Sequence, residues 1–327
     1  MIKKEILHFL KSNNTTTLFK KSDNIRKKYC GNKVFIRGLV EFSNFCVRNC
    51  LYCGLRKDNK NIRRYRMKPG DILSISYKIA EKGIETIVLQ SGDDFYYTRK
   101  ILRNIIKSIK KRFPHIAVTL SVGERPLDDY KAFRDCGADR YLLKQETVNK
   151  RLYRFLHPGQ SLAVRIKILE YLKKIGYQVG AGNIIGLQGQ TPEDLAEDIL
   201  FLRDFQPDMI GMGPFISQND TPLSGQPSPS LKLVLKSLAL ARIVTKNAHM
   251  PATTALASLR GNKNQAMGLK AGCNVIMVDF TPWNYGKEYK IYNGKARINM
   301  RKAMDAIRHA ERKPSFEKAD SFKKYEE

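Results

Sequence analysis

Short apolar runs rich in β-branched residues alternate along the chain with longer segments of helical periodicity. This alternation is typical of β/α units arranged around a parallel sheet. Eight such runs predict strands at 34–41, 86–91, 117–123, 140–146, 178–186, 209–216, 252–258 and 275–281.

The segments between these runs predict helices with recognisable starts. One helix is expected over 69–82 behind Pro-Gly-Asp, and another over 191–204, where Thr191 and Asp194 can form a capping pair around Pro192. A last helix is expected over 297–312. Eight strands with intervening helices predict an α/β fold, a (β/α)8 TIM-type barrel.

The ends of the chain differ from this repeating pattern. Residues 1–30 are polar and partly helical, so we expect an N-terminal helical extension packed against the bottom or side of the barrel. Residues 31–315 are assigned to the barrel itself. Residues 316–327 are expected to be a frayed, charged C-terminal tail.

Composition limits the class of protein. The 327 residues, 42% of them hydrophobic, suffice for one large domain or two small ones. The chain has no apolar stretch near the roughly 18 residues of a membrane span, and residues 1–14 are too polar for a secretory signal. Six cysteines in a chain of this length do not indicate a disulfide framework. We therefore predict a cytoplasmic protein without a membrane partner.

The chain is strongly basic, with 59 Lys and Arg against 31 Asp and Glu and a net charge of +28. This charge is compatible with nucleic acid, an acidic partner protein or an anionic substrate. It also fits tolerant surfaces encoded by an AT-rich genome, because basic residues are spread over 56–68, 99–112 and the part beyond Lys287. No nucleic-acid-binding motif accompanies the charge, so nucleic acid is not an expected partner.

Polar residues follow several of the predicted strands. A group of cysteines begins five residues after Glu41, and Gln-Ser-Gly-Asp (90–93), Gly-Glu (123–124) and Glu146 end the next three strands. Barrel enzymes carry their reactive groups at the carboxyl ends of strands. We therefore expect one site at the mouth of the barrel.

Three cysteines, Cys46, Cys50 and Cys53, have the spacing C-x3-C-x2-C. They can hold three corners of a 4Fe-4S cube and leave the fourth iron open, whereas structural zinc sites and ferredoxin clusters normally have four protein ligands. A chance cluster or a zinc site completed by a distant histidine remains an alternative. No histidine lies within 30 residues of the triad on either side. The spacing resembles that of radical S-adenosylmethionine (SAM) enzymes, in which SAM chelates the open iron.

Longer motifs narrow the resemblance to one family. The chain contains EFSNFCVRNCLYCGLRKDNKNIRRYRM, TIVLQSGDD, VTLSVGE, GADRYLLKQET, GYQVGAGNIIGLQGQT, GMGPFI, DTPL and PATTALASL. Between about Lys28 and Tyr292 it resembles the HydE family of FeFe-hydrogenase maturases, and more distantly biotin synthase and 3-methylornithine synthase. This resemblance implies the radical SAM type of barrel. It also implies reductive SAM cleavage at one 4Fe-4S cluster and action on a small iron- and cysteine-derived precursor of the hydrogenase dithiolate bridge.

The resemblance also implies site residues. The cluster ligands would be Cys46, Cys50 and Cys53. Residues near SAM would be Tyr52, Ser91, Gly92, Glu146, Arg165 and Tyr289. Residues near the substrate would be Thr119, Lys144, Thr253 and Thr254. We could assign no residue as a general acid or base, and His157 is expected to be a solvated loop histidine.

Two departures from the family pattern affect these expectations. Lys144-Gln145 stand where the family commonly has Arg-His, so a point charge replaces a bidentate anion clamp. The chain has no cysteine after Cys273, so a second cluster near the C-terminus is excluded.

The implied partners are SAM, a small-molecule or organometallic precursor, a reductant such as flavodoxin or ferredoxin, and other hydrogenase maturases. Another biotin synthase-like enzyme, such as a 3-methylornithine synthase, is the nearest alternative. A non-catalytic iron-sulfur scaffold is the alternative from a different class.

Overall fold

The computed structural model describes residues 1–259 and 263–323. Ten strands lie in these ranges: β1 Lys33–Ser43, β2 Thr86–Ser91, β3 Ala117–Ser121, β4 Arg140–Leu142, β5 Gln178–Ala181, β6 Ile184–Ile185, β7 Met209–Ile210, β8 Gly213–Pro214, β9 Val275–Asp279 and β10 Lys313–Ser315.

The helices of the described ranges surround these strands. They are α1 Lys3–Lys11, α2 Thr16–Cys30, α3 Pro69–Glu81, α4 Arg99–Arg112, α5 Leu127–Asp135, α6 Lys150–Leu156, α7 Leu162–Lys174, α8 Pro192–Phe205, α9 Leu231–Thr245, α10 Thr254–Ser258, α11 Asn264–Lys270, α12 Trp283–Gly286 and α13 Met300–His309. No helix there is both long and apolar enough to cross a bilayer.

The sheet is parallel, with the order β10-β1-β2-β3-β4-β5-β7, and β9 pairs with β1. Single parallel bridges, Met209 to His249 and Pro251 to Val275, join β7 to β9. β6 and β8 form a separate pair beyond the ends of β5 and β7. The sheet therefore curls into the predicted TIM-type barrel, with the helices outside.

The prediction of a seventh strand at 252–258 is wrong. Strand pairing in this part of the chain is limited to the bridges at His249 and Pro251, and Thr254–Ser258 forms helix α10. Thr253 caps this helix, because its Oγ1 accepts a hydrogen bond from Leu256 N at 3.2 Å. The sequence that follows the cap is rich in Ala and Leu, which favour helix over strand.

Local sequence explains the longer helices. α8 begins with the predicted capping box, in which Thr191 and Asp194 bond each other's backbone N–H groups. α4 buries Leu102, Ile105, Ile106 and Ile109 on one side and exposes its cations on the other. One large apolar core joins the helices to the outer face of the sheet.

The two ends of the chain pack against different parts of the barrel. α1 and α2 contact α8 and α9 on its side. Residues 316–323, expected to be a frayed tail, instead lie across the lower face. There Arg140 Nη2 donates to Lys318 O at 2.7 Å, and the carbonyl of Asp320 lies 3.0 Å from His249 Nε2. Buried donors inside the barrel thus fix this segment in place, while 324–327 lie outside the described residues.

Candidate active site

A cavity of about 360 Å³ opens at the carboxyl ends of the strands. Its size falls within the roughly 300–1,000 Å³ of small-molecule sites. The three cysteines of the triad line one side of it. The cavity therefore lies at the mouth of the barrel, where the sequence predicts a site.

The cysteine loop follows directly on β1 and presents three half-buried thiols. Cys46 Sγ lies 3.4 Å from the backbone nitrogens of both Arg48 and Asp93. Cys50 Sγ accepts a hydrogen bond from Gln160 Nε2 at 3.3 Å. Burial, followed by the nearby Asp93 carboxylate, raises the pKa of Cys46 to about 12. A positive iron centre would offset this penalty on the thiolate form, and the N–H donors point at the sulfurs that would carry its charge.

Arg64 holds this loop in shape through its backbone. Its guanidinium donates four hydrogen bonds, to the carbonyl oxygens of Asn44, Leu55, Arg56 and Asn59, at 2.6 to 3.1 Å. Asn44 is fully buried, and its side-chain amide bonds two further carbonyls. The loop lacks regular secondary structure, so these side chains satisfy its buried carbonyl groups.

Gly92 lets β2 approach the cysteine loop closely. A Cβ atom at this position would lie 2.2 Å from Phe45 O and 2.7 Å from Cys46 Cβ. The neighbouring Ser91 and Asp93 also line the cavity. Absence of a side chain at residue 92 is therefore a packing requirement of the loop that carries Cys46.

The residues present fit a four-iron cluster better than a single metal ion. In the described ranges, no three His, Cys, Asp or Glu side chains converge closely enough to ligate one ion. In a 4Fe-4S cube each thiolate binds a different iron, so its ligands need not converge on one point.

A chain of ion pairs connects the cysteine loop with the far wall of the cavity. Arg48 bonds Asp93 at 2.7 Å and Glu124 at 3.0 Å, and Glu124 accepts from Arg165 Nε at 2.6 Å. Arg165 also donates to Gln160 Oε1 at 2.9 Å, and so holds the amide that reaches Cys50. These side chains are largely buried. Removing one of them would therefore leave its partner as an uncompensated buried charge and lower the stability of the fold.

Glu146 and Arg165 both line the cavity but do not pair with each other. Lys144 Nζ lies 3.3 Å from Glu146 Oε2, without the alignment of a hydrogen bond, and among the described residues that buried oxygen has no hydrogen-bond partner. Glu146 has a φ of 65°, which is strained for a non-glycine residue. Its backbone is held by two hydrogen bonds: Glu146 N donates to Gly182 O, and Glu146 O accepts from Ile184 N. A strained carboxylate that lines a cavity beside a lysine ammonium is suited to a ligand.

Tyr52 contacts a buried histidine. Its hydroxyl lies 2.9 Å from His157 Nε2, and His157 Nδ1 lies 3.1 Å from Tyr153 O. Burial, followed by the charge of Arg165, lowers the pKa of His157 to about 3. The expectation of a solvated His157 is wrong, because this side chain is only 1% exposed and is neutral.

Tyr289 belongs to a polar group on the β1 side of the cavity. Its hydroxyl accepts from Gln90 Nε2 at 3.3 Å, and Lys295 lies 5.5 Å from the centre of its ring. Lys295 also bonds Glu41 at 2.8 Å. Burial raises the pKa of Glu41 to about 7, with Lys295 opposing the shift. Sequence reasoning missed Glu41 and Lys295 as cavity residues.

The expected substrate residues divide into two groups. Lys144, Thr253 and Thr254 line the cavity. Thr119 does not line it: Ser121, two residues further along β3, reaches the cavity, and Thr119 lies one layer below on the same face. Its buried hydroxyl has no hydrogen-bond partner in the part of the chain that the structure describes.

All six residues expected near SAM line the cavity, together with the three cysteines: Tyr52, Ser91, Gly92, Glu146, Arg165 and Tyr289. Their roles stay predictions. Sequence reasoning noted Glu124 only as a polar residue after a strand, and it missed Arg48 and Gln160. Gln160 is 110 positions from Cys50, so no local pattern indicates their contact.

Comparison with known proteins agrees with this geometry. Residues 40–202 match the Radical SAM superfamily. The chain is 47% identical over 278 residues to the [FeFe] hydrogenase maturase subunit HydE of Thermotoga maritima, and the match covers 85% of this chain and 79% of that protein. The chain belongs to the HydE family of radical SAM enzymes. A 3-methylornithine synthase of Methanosarcina acetivorans is 28% identical over 77% of this chain and 71% of its own length.

Solved structures with lower identity share the fold of this HydE-family chain. Methylornithine synthase (PylB) has a TM-score of 0.83 at 24% identity, covering 96% of this chain and 94% of that one. The hydrogenase maturase HydG has a TM-score of 0.82 at 19% identity, covering 97% and 73%. The sequence-based prediction of the family and of the barrel is therefore confirmed.

Proposed function

We propose that this protein reductively cleaves SAM at a single 4Fe-4S cluster held by Cys46, Cys50 and Cys53, as a step in FeFe-hydrogenase maturation. The observation that carries the proposal is the position of the triad on the wall of a cavity that the carboxylate of Glu146 also lines. Relationship to the Thermotoga maritima maturase supports the pathway.

The cluster and SAM together supply the reductive cleavage of a sulfonium carbon–sulfur bond. The chain's own residues bind and orient. Backbone N–H groups of Arg48 and Asp93 and the amide of Gln160 stabilise negative charge on the thiolates. Glu146 suits ribose hydroxyls or an ammonium group, because its carboxylate lines the cavity and its oxygens can accept hydrogen bonds.

Arg165 suits the carboxylate end of SAM. Three of its nitrogens already donate to Glu124, Lys144 O and Gln160. A guanidinium has five N–H donors, so two are not used by these three bonds. Because its existing bonds fix the plane of the guanidinium, SAM would bind to a group whose orientation is already set.

The remaining cavity would accept the precursor. Lys144, Thr253 and Thr254 supply an ammonium and two hydroxyls to a mainly apolar chamber. Lys144 is one-third exposed and lies in ion-pair distance of Glu146. These donors favour a small anionic precursor, such as an iron- and cysteine-derived compound.

The proposal extends to partners and location. A reductant such as ferredoxin or flavodoxin must supply electrons, and other hydrogenase maturases would supply the precursor or accept the product. The six cysteines of the chain are free thiols. Reduced thiols and an oxygen-sensitive cluster both favour the cytoplasm.

In vitro maturation of a cluster-free hydrogenase tests the pathway. The anaerobically reconstituted protein, SAM, reductant and the other maturases should restore hydrogen evolution and release 5'-deoxyadenosine. Cys50→Ser should abolish both, whereas Cys136→Ser, at a buried cysteine outside the cavity, should preserve both. SAM cleavage without maturation, combined with formation of 3-methylornithine, would instead identify the alternative enzyme.

A further inference from the structure

The basic segment 56–68 surrounds the outer side of the cysteine loop. It contains seven cations, Arg56, Lys57, Lys60, Arg63, Arg64, Arg66 and Lys68, and one carboxylate, Asp58. Arg64 and Arg66 are used internally, on backbone carbonyls and on Asp94. The charges of Lys57, Lys60 and Arg63 are exposed, and none has a carboxylate within ion-pair distance in the described parts of the chain.

Backbone contacts place these exposed cations beside the triad. Lys57 N donates to Arg48 O at 2.8 Å, and Asn44 Nδ2 donates to Arg63 O at 2.8 Å. Asn44 and Arg48 lie on either side of Cys46 in the sequence. The positive charge therefore lies on the loop that holds the thiols and not on a remote helix.

Exposed apolar side chains lie on the cysteine loop and on the turn that is bonded to it. Val47 is 49% exposed, Phe95 45% and Tyr96 52%. Val47 N donates to Asp93 O at 3.0 Å, which joins the cysteine loop to the Phe95–Tyr96 turn. The Arg66 guanidinium lies 3.7 Å from the centre of the Phe45 ring and 4.7 Å from that of Tyr96. We call Val47, Lys57, Lys60, Arg63, Phe95 and Tyr96 the outer loop face.

We propose that the outer loop face docks a small acidic one-electron carrier protein of the ferredoxin kind. This inference rests on the proposed function, because only a cluster at the triad needs the electron. Exposed apolar residues and cations without an ion-pair partner, on one loop and the turn bonded to it, match a carrier with an acidic rim around its redox centre. Val47 adjoins Cys46, so docking here brings the two redox centres close. One electron passes from the reduced carrier to the cluster, and no bond or proton is exchanged.

Charge reversal tests the docking face against a matched control. Lys57→Glu/Lys60→Glu/Arg63→Glu changes three exposed cations there. Lys20→Glu/Lys21→Glu/Lys27→Glu makes the same change of charge on α2, at the side of the barrel. Stopped-flow reduction by a reduced acidic ferredoxin should slow at least about tenfold at low salt in the first variant, since steering raises association rates by roughly 10 to 10³. The α2 variant should change less than about twofold, as should reduction of both variants by the methyl viologen radical.

Three outcomes would overturn the proposal. They are equal slowing of both triple variants, unchanged reduction of the outer-face variant, and tight binding of a short RNA to this face without competition from ferredoxin. Calorimetry of oxidised ferredoxin with cluster-free protein gives a readout independent of turnover. Binding that is lost only in the outer-face variant supports docking even if SAM is not cleaved, so failure of docking and failure of the proposed function are distinguishable.

Discussion

Gly92 offers the sharpest test of how the barrel positions the cysteine loop. In Gly92→Ala the new Cβ would lie 2.2 Å from Phe45 O, whereas real Cβ atoms essentially never come within 3.0 Å of such an atom. The two backbones must therefore separate by at least about 0.8 Å. Neither partner is a flexible side chain, so Cys46 must move with the loop.

The expected effect follows from this displacement. A misplacement of about 1 Å costs on the order of 10²-fold in rate, and overpacking costs about 1–3 kcal/mol of stability. Gly92→Ala should therefore fold, bind iron and sulfide less completely, and form 5'-deoxyadenosine about 100-fold more slowly per cluster. Thermal unfolding, iron and sulfide content, and product formation measure the three effects.

Gly70→Ala is the matched control. Gly70 lies in the first turn of α3, and a Cβ there would meet no atom within 4 Å. Alanine is favoured over glycine in helices by roughly 1 kcal/mol, so this variant should retain full activity and stability. Full cluster content and normal turnover in Gly92→Ala would refute the role of the close approach.

Further predictions concern the buried groups around the cavity. Gln160→Leu removes the amide 3.3 Å from Cys50 Sγ and should lower the midpoint potential of a fully loaded cluster, measured by redox titration; an unchanged potential contradicts the assigned hydrogen bond. Arg165→Gln leaves buried Glu124 with Arg48 alone and should cost about 3 kcal/mol in denaturant unfolding, whereas Lys131→Gln, at an exposed pair, should change little. His157 has a folded pKa of about 3 against 6.5 unfolded, so the stability it gives as a neutral group is present above pH 6.5 and is lost as the pH falls towards 3. Cluster-free protein should lose about 2 kcal/mol more between pH 8 and pH 5 than His157→Gln, and equal losses would exclude this titration.

The order of β/α units could be read from the sequence because each strand and helix has its own local pattern. The prediction for 252–258 was wrong, because apolar character alone does not distinguish a short helix from a buried strand. There the cap at Thr253 was the better signal. The C-terminal residues were also misjudged, because their charge is local but the buried donors that hold them, Arg140 and His249, are distant in sequence.

The site was predictable where its residues share a motif. The triad and the residues that resemble family positions could be named from their motifs, and all except Thr119 line one cavity, although their roles stay predictions. Pairings between distant positions were not predictable: Arg165 bonds Glu124 rather than Glu146, and Lys295 bonds Glu41 across 254 positions. Such contacts depend on the closure of the barrel and leave no pattern along the chain.

The central claim is that three cysteines leave one iron open for SAM. Electron-nuclear double resonance of the reduced, reconstituted protein with SAM labelled in its amino and carboxylate groups tests this most directly. The account predicts magnetic coupling of both labels to the cluster, together with a SAM-dependent change in its electron paramagnetic resonance spectrum. A fully loaded cluster that shows neither coupling nor change would contradict it.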